Sequence, residues 1–272
     1  MDASFIAKKS IENLISELEV EGAIAPKSES TRSPRAKKYI EFQKFYNIFL
    51  IVFIPSLLYA ICRYTIQHNE PWYDLPFYLL NKTLGVSSVI IMSLAYIIGP
   101  LAKFSSRYKK YLGHRKYFGI GGFFLGTSHG AMSLLLMSPN NYEVFYNLET
   151  GRLNWQGSLS MLFGTLALFH LFFIAIISLP PVMREMHAKQ WKNIQKGGII
   201  ALLITFLHIA AFGYKSWFNL DKWYGGMPPF SLVGASSILI ILFIRKIITL
   251  HNQAHGKKTL LNFYQNTHKH LH

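Results

Sequence analysis

The sequence predicts an all-α membrane protein, a six-helix transmembrane bundle with both termini cytoplasmic. Three observations carry that prediction. Half of the 272 residues are hydrophobic (51%) and they come in blocks near the twenty residues a bilayer helix needs. The net charge of +15 is confined to tails and alternate connections between those blocks, the positive-inside pattern of a membrane protein and not the footprint of a nucleic-acid binder. Aromatic residues, among them Trp72, Tyr73, Tyr142, Trp155, Trp217, Trp223 and Tyr224, gather at the opposite, outer interface.

The elements follow in order. Residues 1–44 hold no apolar run, so no cleavable signal peptide is expected. Ile11, Leu14, Ile15 and Leu18 space a short amphipathic helix behind Ser10, and the Ser-rich stretch 26–34 reads as a linker, so this part is a cytoplasmic N-terminal tail. The spans are predicted at Phe45–Cys62, kinked at Pro55, then Leu84–Ala102, Tyr117–Met137, Ser158–Leu179, Gly197–Tyr214 and Pro228–Ile244. They define a transmembrane domain over 45–248, followed by a basic, His-rich cytoplasmic tail over 249–272. Connections 103–116 and 181–196 and this tail are cationic; the other three are nearly neutral. The single cysteine, Cys62, excludes an intrachain disulfide, a CxxC pair and a CxxCH haem attachment. No span contains an acid, which argues against a proton pump or ion-coupled transporter.

Ionisable side chains within a span are costly, and each is a candidate functional residue. His129 lies 13 residues beyond Lys116 and His208 lies 12 beyond Lys196, about 20 and 18 Å along helices of like direction. The two imidazoles are therefore level in the outer half of the bilayer, placed to clamp one flat metal cofactor. His129 shares a face with Gly122, Gly126 and Ser133, and His208 with Ala201, Thr205 and Ala211. Such small-residue stripes leave room for a macrocycle or serve close helix packing. Histidine on both faces of an iron holds b-type haem without a covalent link. His170 sits deeper and reads as a core histidine bonded to a backbone carbonyl or hydroxyl, with a quinone or flavin contact as the alternative. His114 and His187 read as solvated, and His251, His255, His268, His270 and His272 make up the tail cluster.

Gly99-Pro100-Leu101-Ala102, a basic loop, and Arg115-Lys116-Tyr117-Phe118-Gly119 with His129 ten residues on resemble the ferric reductase-like transmembrane domain family. Ser178-Leu179-Pro180, then Lys189 to Gln195 with His208 thirteen residues further, are similar to the haem-binding membrane subunit of the bacterial periplasmic methionine-sulfoxide reductase system. The resemblance implies a bundle carrying electrons through haem b in a bacterial inner (plasma) membrane, with His129 and His208 as axial iron ligands. It also implies an inner histidine 13 or 14 residues before each outer one in two-haem members. Here Arg115 and Gln195 stand at those positions, which points to one haem per chain, as in STEAP-type metalloreductases, and to a flavin or quinone as carrier across the inner half. No GxGxxG loop or soluble nucleotide domain is read, so the donor is a separate reductase or the quinol pool and the acceptor is periplasmic. The alternative is a cofactor-free structural or assembly protein that keeps the fold without redox chemistry.

Overall fold

The computed structural model describes residues 34–67, 75–179, 181–182 and 185–269; the expected amphipathic helix around Ile11–Leu18 lies outside them. Residues 44–272 form one compact unit. Its helices are α1 (Pro34–Ile61), α2 (Leu75–Phe104), α3 (His114–Leu135), α4 (Trp155–Ile177), the short α5 (Ala188–Lys196), α6 (Gly198–Trp217) and α7 (Phe230–Lys269). Among the described residues there is no β-strand, only an isolated bridge between Tyr146 and Leu153. This is an all-helical, multi-pass membrane protein.

Among the described residues five helices are long and apolar enough to cross a bilayer: α1, α2, α4, α6 and α7. The third expected span, Tyr117–Met137, forms as the helix α3, but its glycines, its hydroxyl residues and the His114-Arg115-Lys116 start dilute its apolar character. The chain also departs from the expected boundaries at both ends of the bundle. α2 starts at Leu75, nine residues before the apolar run read at Leu84, because Asn81, Lys82 and Thr83 are taken into the helix. α7 runs without a break to Lys269, so much of the expected tail continues as helix.

α2 is the centre of the bundle. Half of its apolar stretch is buried, against 6% of that of α1. One face, with Leu84, Ile91, Ala95 and Ile98, packs on Phe118 and Leu125 of α3, covered by Phe45 and Phe49 of α1. Val89 and Met92 instead join Leu171 of α4, Ala201, Leu202 and Ile209 of α6, and Ala235 and Ile238 of α7. The outward faces carry exposed apolar side chains such as Ile51, Phe124, Phe169 and Phe243, as a lipid-facing surface requires.

The small-residue stripe on α3 is a packing device. A methyl on Gly122 would run into Met92, and one on Gly126 would come 3.0 Å from Ser88 Oγ, which itself donates to the Gly122 carbonyl at 2.7 Å. Close approach of α2 and α3 through glycine and serine is how helices associate where no hydrophobic gain is available. At the far end of α1, Arg63 is buried; its guanidinium donates to the Met227 and Lys222 carbonyls and lies 4.8 Å from the Tyr224 ring. Tyr59 donates to the Pro228 carbonyl at 2.6 Å, so α1 is pinned to the connection that leads into α7.

Candidate functional site

α3 pairs with α2 and α4 pairs with α6, and each pair carries one of the two level histidines. The His129 and His208 rings face each other with centroids 6.4 Å apart and planes at 72°. Each ring is held in the same way by its neighbouring helix. His129 Nδ1 is 2.9 Å from the Asn81 carbonyl oxygen, and a methyl on Gly85, one turn further along α2, would lie 3.0 Å from that nitrogen. His208 Nδ1 is 2.8 Å from the Ser160 carbonyl oxygen, and a methyl on Gly164, one turn further along α4, would lie 2.9 Å from it.

The slot is thus a carbonyl at one position and a glycine four residues on. The carbonyl accepts the Nδ1 proton and fixes the tautomer; the missing side chain admits the ring edge. With Nδ1 committed, the Nε2 lone pair of each ring is the one left for a ligand. A metal–imidazole bond is about 2 Å and a ring nitrogen lies about 1 Å from the centroid, so two imidazoles on opposite faces of one metal hold their centroids roughly 6 Å apart. The observed 6.4 Å fits that requirement. The donor set is the histidine pair itself: among the described residues no group of three or more His, Cys, Asp or Glu is assembled for a metal.

Polar groups support the slots. Asn81 is buried, and its amide donates at 2.9 Å to both Ser133 Oγ on α3 and Tyr142 Oη in the 136–154 connection. Burial pushes the Tyr142 phenol above its ordinary value, against the opposing pull of Lys82, so it remains a neutral hydrogen-bonding group. Lys82 itself lies 4.2 Å from the Tyr78 ring and 5.0 Å from the Tyr64 ring. Ser160 Oγ adds a second contact to His208 Nδ1 at 3.1 Å. The slot residues Asn81, Gly85, Ser160 and Gly164 escape the sequence reading, because helix–helix register is not written in either helix alone.

His170 is a core histidine of the expected type, its Nε2 3.0 Å from the Gly197 carbonyl oxygen. His187 is exposed before α5. His114 is buried against Tyr111 and Phe118 and is not solvated as its loop position suggests. The two positions where an inner histidine pair is absent are filled in an informative way. Arg115 Nε donates to the Ala95 carbonyl at 3.1 Å, and its Nη1 would lie 3.3 Å from a methyl on Gly99. That is the His129 slot moved fourteen residues toward the basic end of α2 and α3, with arginine as its occupant. Gln195 Nε2 donates to Ser178 Oγ at 2.8 Å, and Ser178 stands fourteen residues beyond Gly164. Arg245 of α7 donates to the Tyr96 carbonyl at 2.8 Å, which brings a second guanidinium to the same end of the bundle.

Residues 84–206 match the family described as ferric reductase like transmembrane component, and this stretch is similar to that ferric reductase-like family. The chain is 26% identical to the metalloreductase STEAP2 of Mus musculus over 228 residues, which is 74% of this chain and 46% of the relative. STEAP2 of Homo sapiens gives 26% over 226 residues (74% and 45%), and STEAP3 of Rattus norvegicus 25% over 218 residues (70% and 44%). The chain therefore spans less than half the length of these relatives.

Proposed function

We propose that the chain binds one haem b between His129 and His208 and passes electrons across a membrane, from a flavin or quinol on the cytoplasmic side to an acceptor on the opposite side. The observation that carries this reading is the 6.4 Å approach of two imidazoles whose Nδ1 atoms are both committed to backbone carbonyls. Haem bound there supplies a one-electron iron couple. The chain's residues do the rest. The Asn81 and Ser160 carbonyls polarise the imidazoles and orient Nε2, which raises ligand basicity. The apolar walls of α2, α3, α4 and α6 keep water from the metal.

One outer haem leaves roughly half of a ~30 Å apolar core to cross. A flavin or quinone is the carrier proposed for that stretch, its anionic or polar groups facing Arg115, Arg245 and Gln195. The STEAP relatives are named metalloreductases, and a metal ion or metal chelate is the acceptor this likeness favours. Six spans with both termini cytoplasmic follow if α3 crosses with the other five. The basic connections 103–116 and 181–196 fit that orientation. A bacterial inner membrane was the sequence expectation; the relatives are mammalian, so the proposal is kept to a multi-pass membrane whose basic loops face the cytoplasm.

The cofactor-free structural reading draws on one observation, the closure of the inner slots by Arg115 and Gln195. A dithionite-reduced minus oxidised spectrum with a pyridine haemochrome count separates the two. One b haem per chain is expected. None, after expression with ample haem, would favour the structural reading, and two would overturn the single-haem assignment.

A further inference from the structure

Lys82 is a cation within the apolar half of a helix, seven residues into α2. The residues on either side of it, Asn81 and Thr83, are fully inside the bundle. Its ammonium rests on the faces of Tyr78 and Tyr64 and is not carried out to a polar connection. Asn81, its immediate neighbour, provides the carbonyl that holds His129. A half-buried cation inside a membrane helix is costly and needs a reason. Aromatic faces offset part of that cost, and they also hold the charge at a fixed place.

We propose that Lys82 sets the potential of the one-electron group held between His129 and His208, its fixed positive charge favouring the reduced form. The inference rests on the haem reading above. Adding an electron lowers the charge of the site by one, and a nearby cation stabilises that lower charge through a medium that screens poorly. At an effective dielectric of about 20, a unit charge roughly 12 Å from such a group changes its equilibrium about tenfold. For a one-electron couple that tenfold change is about 59 mV. The proposed role goes beyond a cation–π clamp between α1 and α2, because a clamp predicts altered stability with no change in potential. It also differs from ligation, since the Lys82 ammonium is turned to the Tyr78 and Tyr64 rings.

The test is a spectroelectrochemical titration of the purified full chain, wild type beside K82M, K82Q and K82R. K82M and K82Q are expected to keep the bis-histidine haem spectrum and to titrate lower by about 59 mV, the tenfold change in the oxidised-to-reduced ratio. K82R, which keeps the charge, is expected to stay at the wild-type value. A haem-loaded K82M or K82Q at the wild-type potential overturns the proposal while leaving the haem reading intact. If the neutral variants do not assemble, acetyl-lysine incorporated at position 82 decides: a lowered potential supports the role of the charge, and an unchanged one overturns it. A wild-type chain without a b-type spectrum overturns both readings together.

Discussion

At the scale of single residues the candidate site depends on two imidazoles and the backbone that aims them. Replacing His129 or His208 with alanine removes a donor from a two-donor set, and loss of the b-type spectrum is the expected result in each case. His170→Ala and His187→Ala are expected to keep that spectrum. The His170 variant loses a bond to the Gly197 carbonyl, which costs about 0.5–1.5 kcal/mol in stability and is read as a lower Tm. Gly85→Ala and Gly164→Ala test the slots. A methyl at either position comes within 3.0 Å of a ring nitrogen, so the ring must turn away from its carbonyl. The expected loss of haem affinity is about 10–100-fold, the range for supports of metal ligands. Unchanged affinity in both glycine variants would mean that the carbonyl and glycine do not position the ring. The level placement of the two histidines could be read from the sequence because depth along a helix is a count at 1.5 Å per residue. Their common slot could not, since it needs the register of α2 against α3 and of α4 against α6.

At the scale of elements, close helix approach is set by glycines whose neighbours differ sharply. A methyl on Gly198 of α6 would overlap the Tyr96 hydroxyl of α2, whereas nothing lies within 4 Å of one on Gly119 of α3. Gly198→Ala is expected to destabilise the protein by about 1–3 kcal/mol through overpacking. Gly119→Ala is expected to be neutral or slightly stabilising, because it lowers helix entropy cost without a clash. Thermal unfolding in one detergent compares them directly, and equal Tm values would show that α2 and α6 yield freely at this contact. The small-residue stripe of α3 was open between cofactor room and packing in the sequence alone. Its glycines meet Met92 and Ser88, so packing explains them. The beginning of α2 was missed for a different reason: Asn81, Lys82 and Thr83 look like a polar connection until Tyr64, Tyr78, Ser133 and Tyr142 are brought around the first two.

At the scale of the molecule, charge on the connections carries the orientation. With Cys62 replaced by serine to clear the background, Lys109→Cys and Asn147→Cys are expected to react with an impermeant maleimide from opposite faces of sealed vesicles, Lys109→Cys from the cytoplasmic face. Labelling of both from one face would remove α3 from the set of spans and with it the six-span topology. Apolar blocks made the helical class and most spans visible from sequence. They were less informative for α3, where glycine packing and a buried histidine displace the aliphatic residues that usually announce a crossing.

The repeat of one slot along α2 and α3 has a consequence for how such bundles diversify. A carbonyl and a glycine belong to the backbone, so the cradle persists whatever side chain reaches into it. Histidine codons are one base from those of arginine and one base from those of glutamine. Single-base changes therefore connect an imidazole with residue types such as those of Arg115 and Gln195 at the basic end of the bundle. A lineage can change its complement of haem sites by point mutation, with the helices and their packing left as they are.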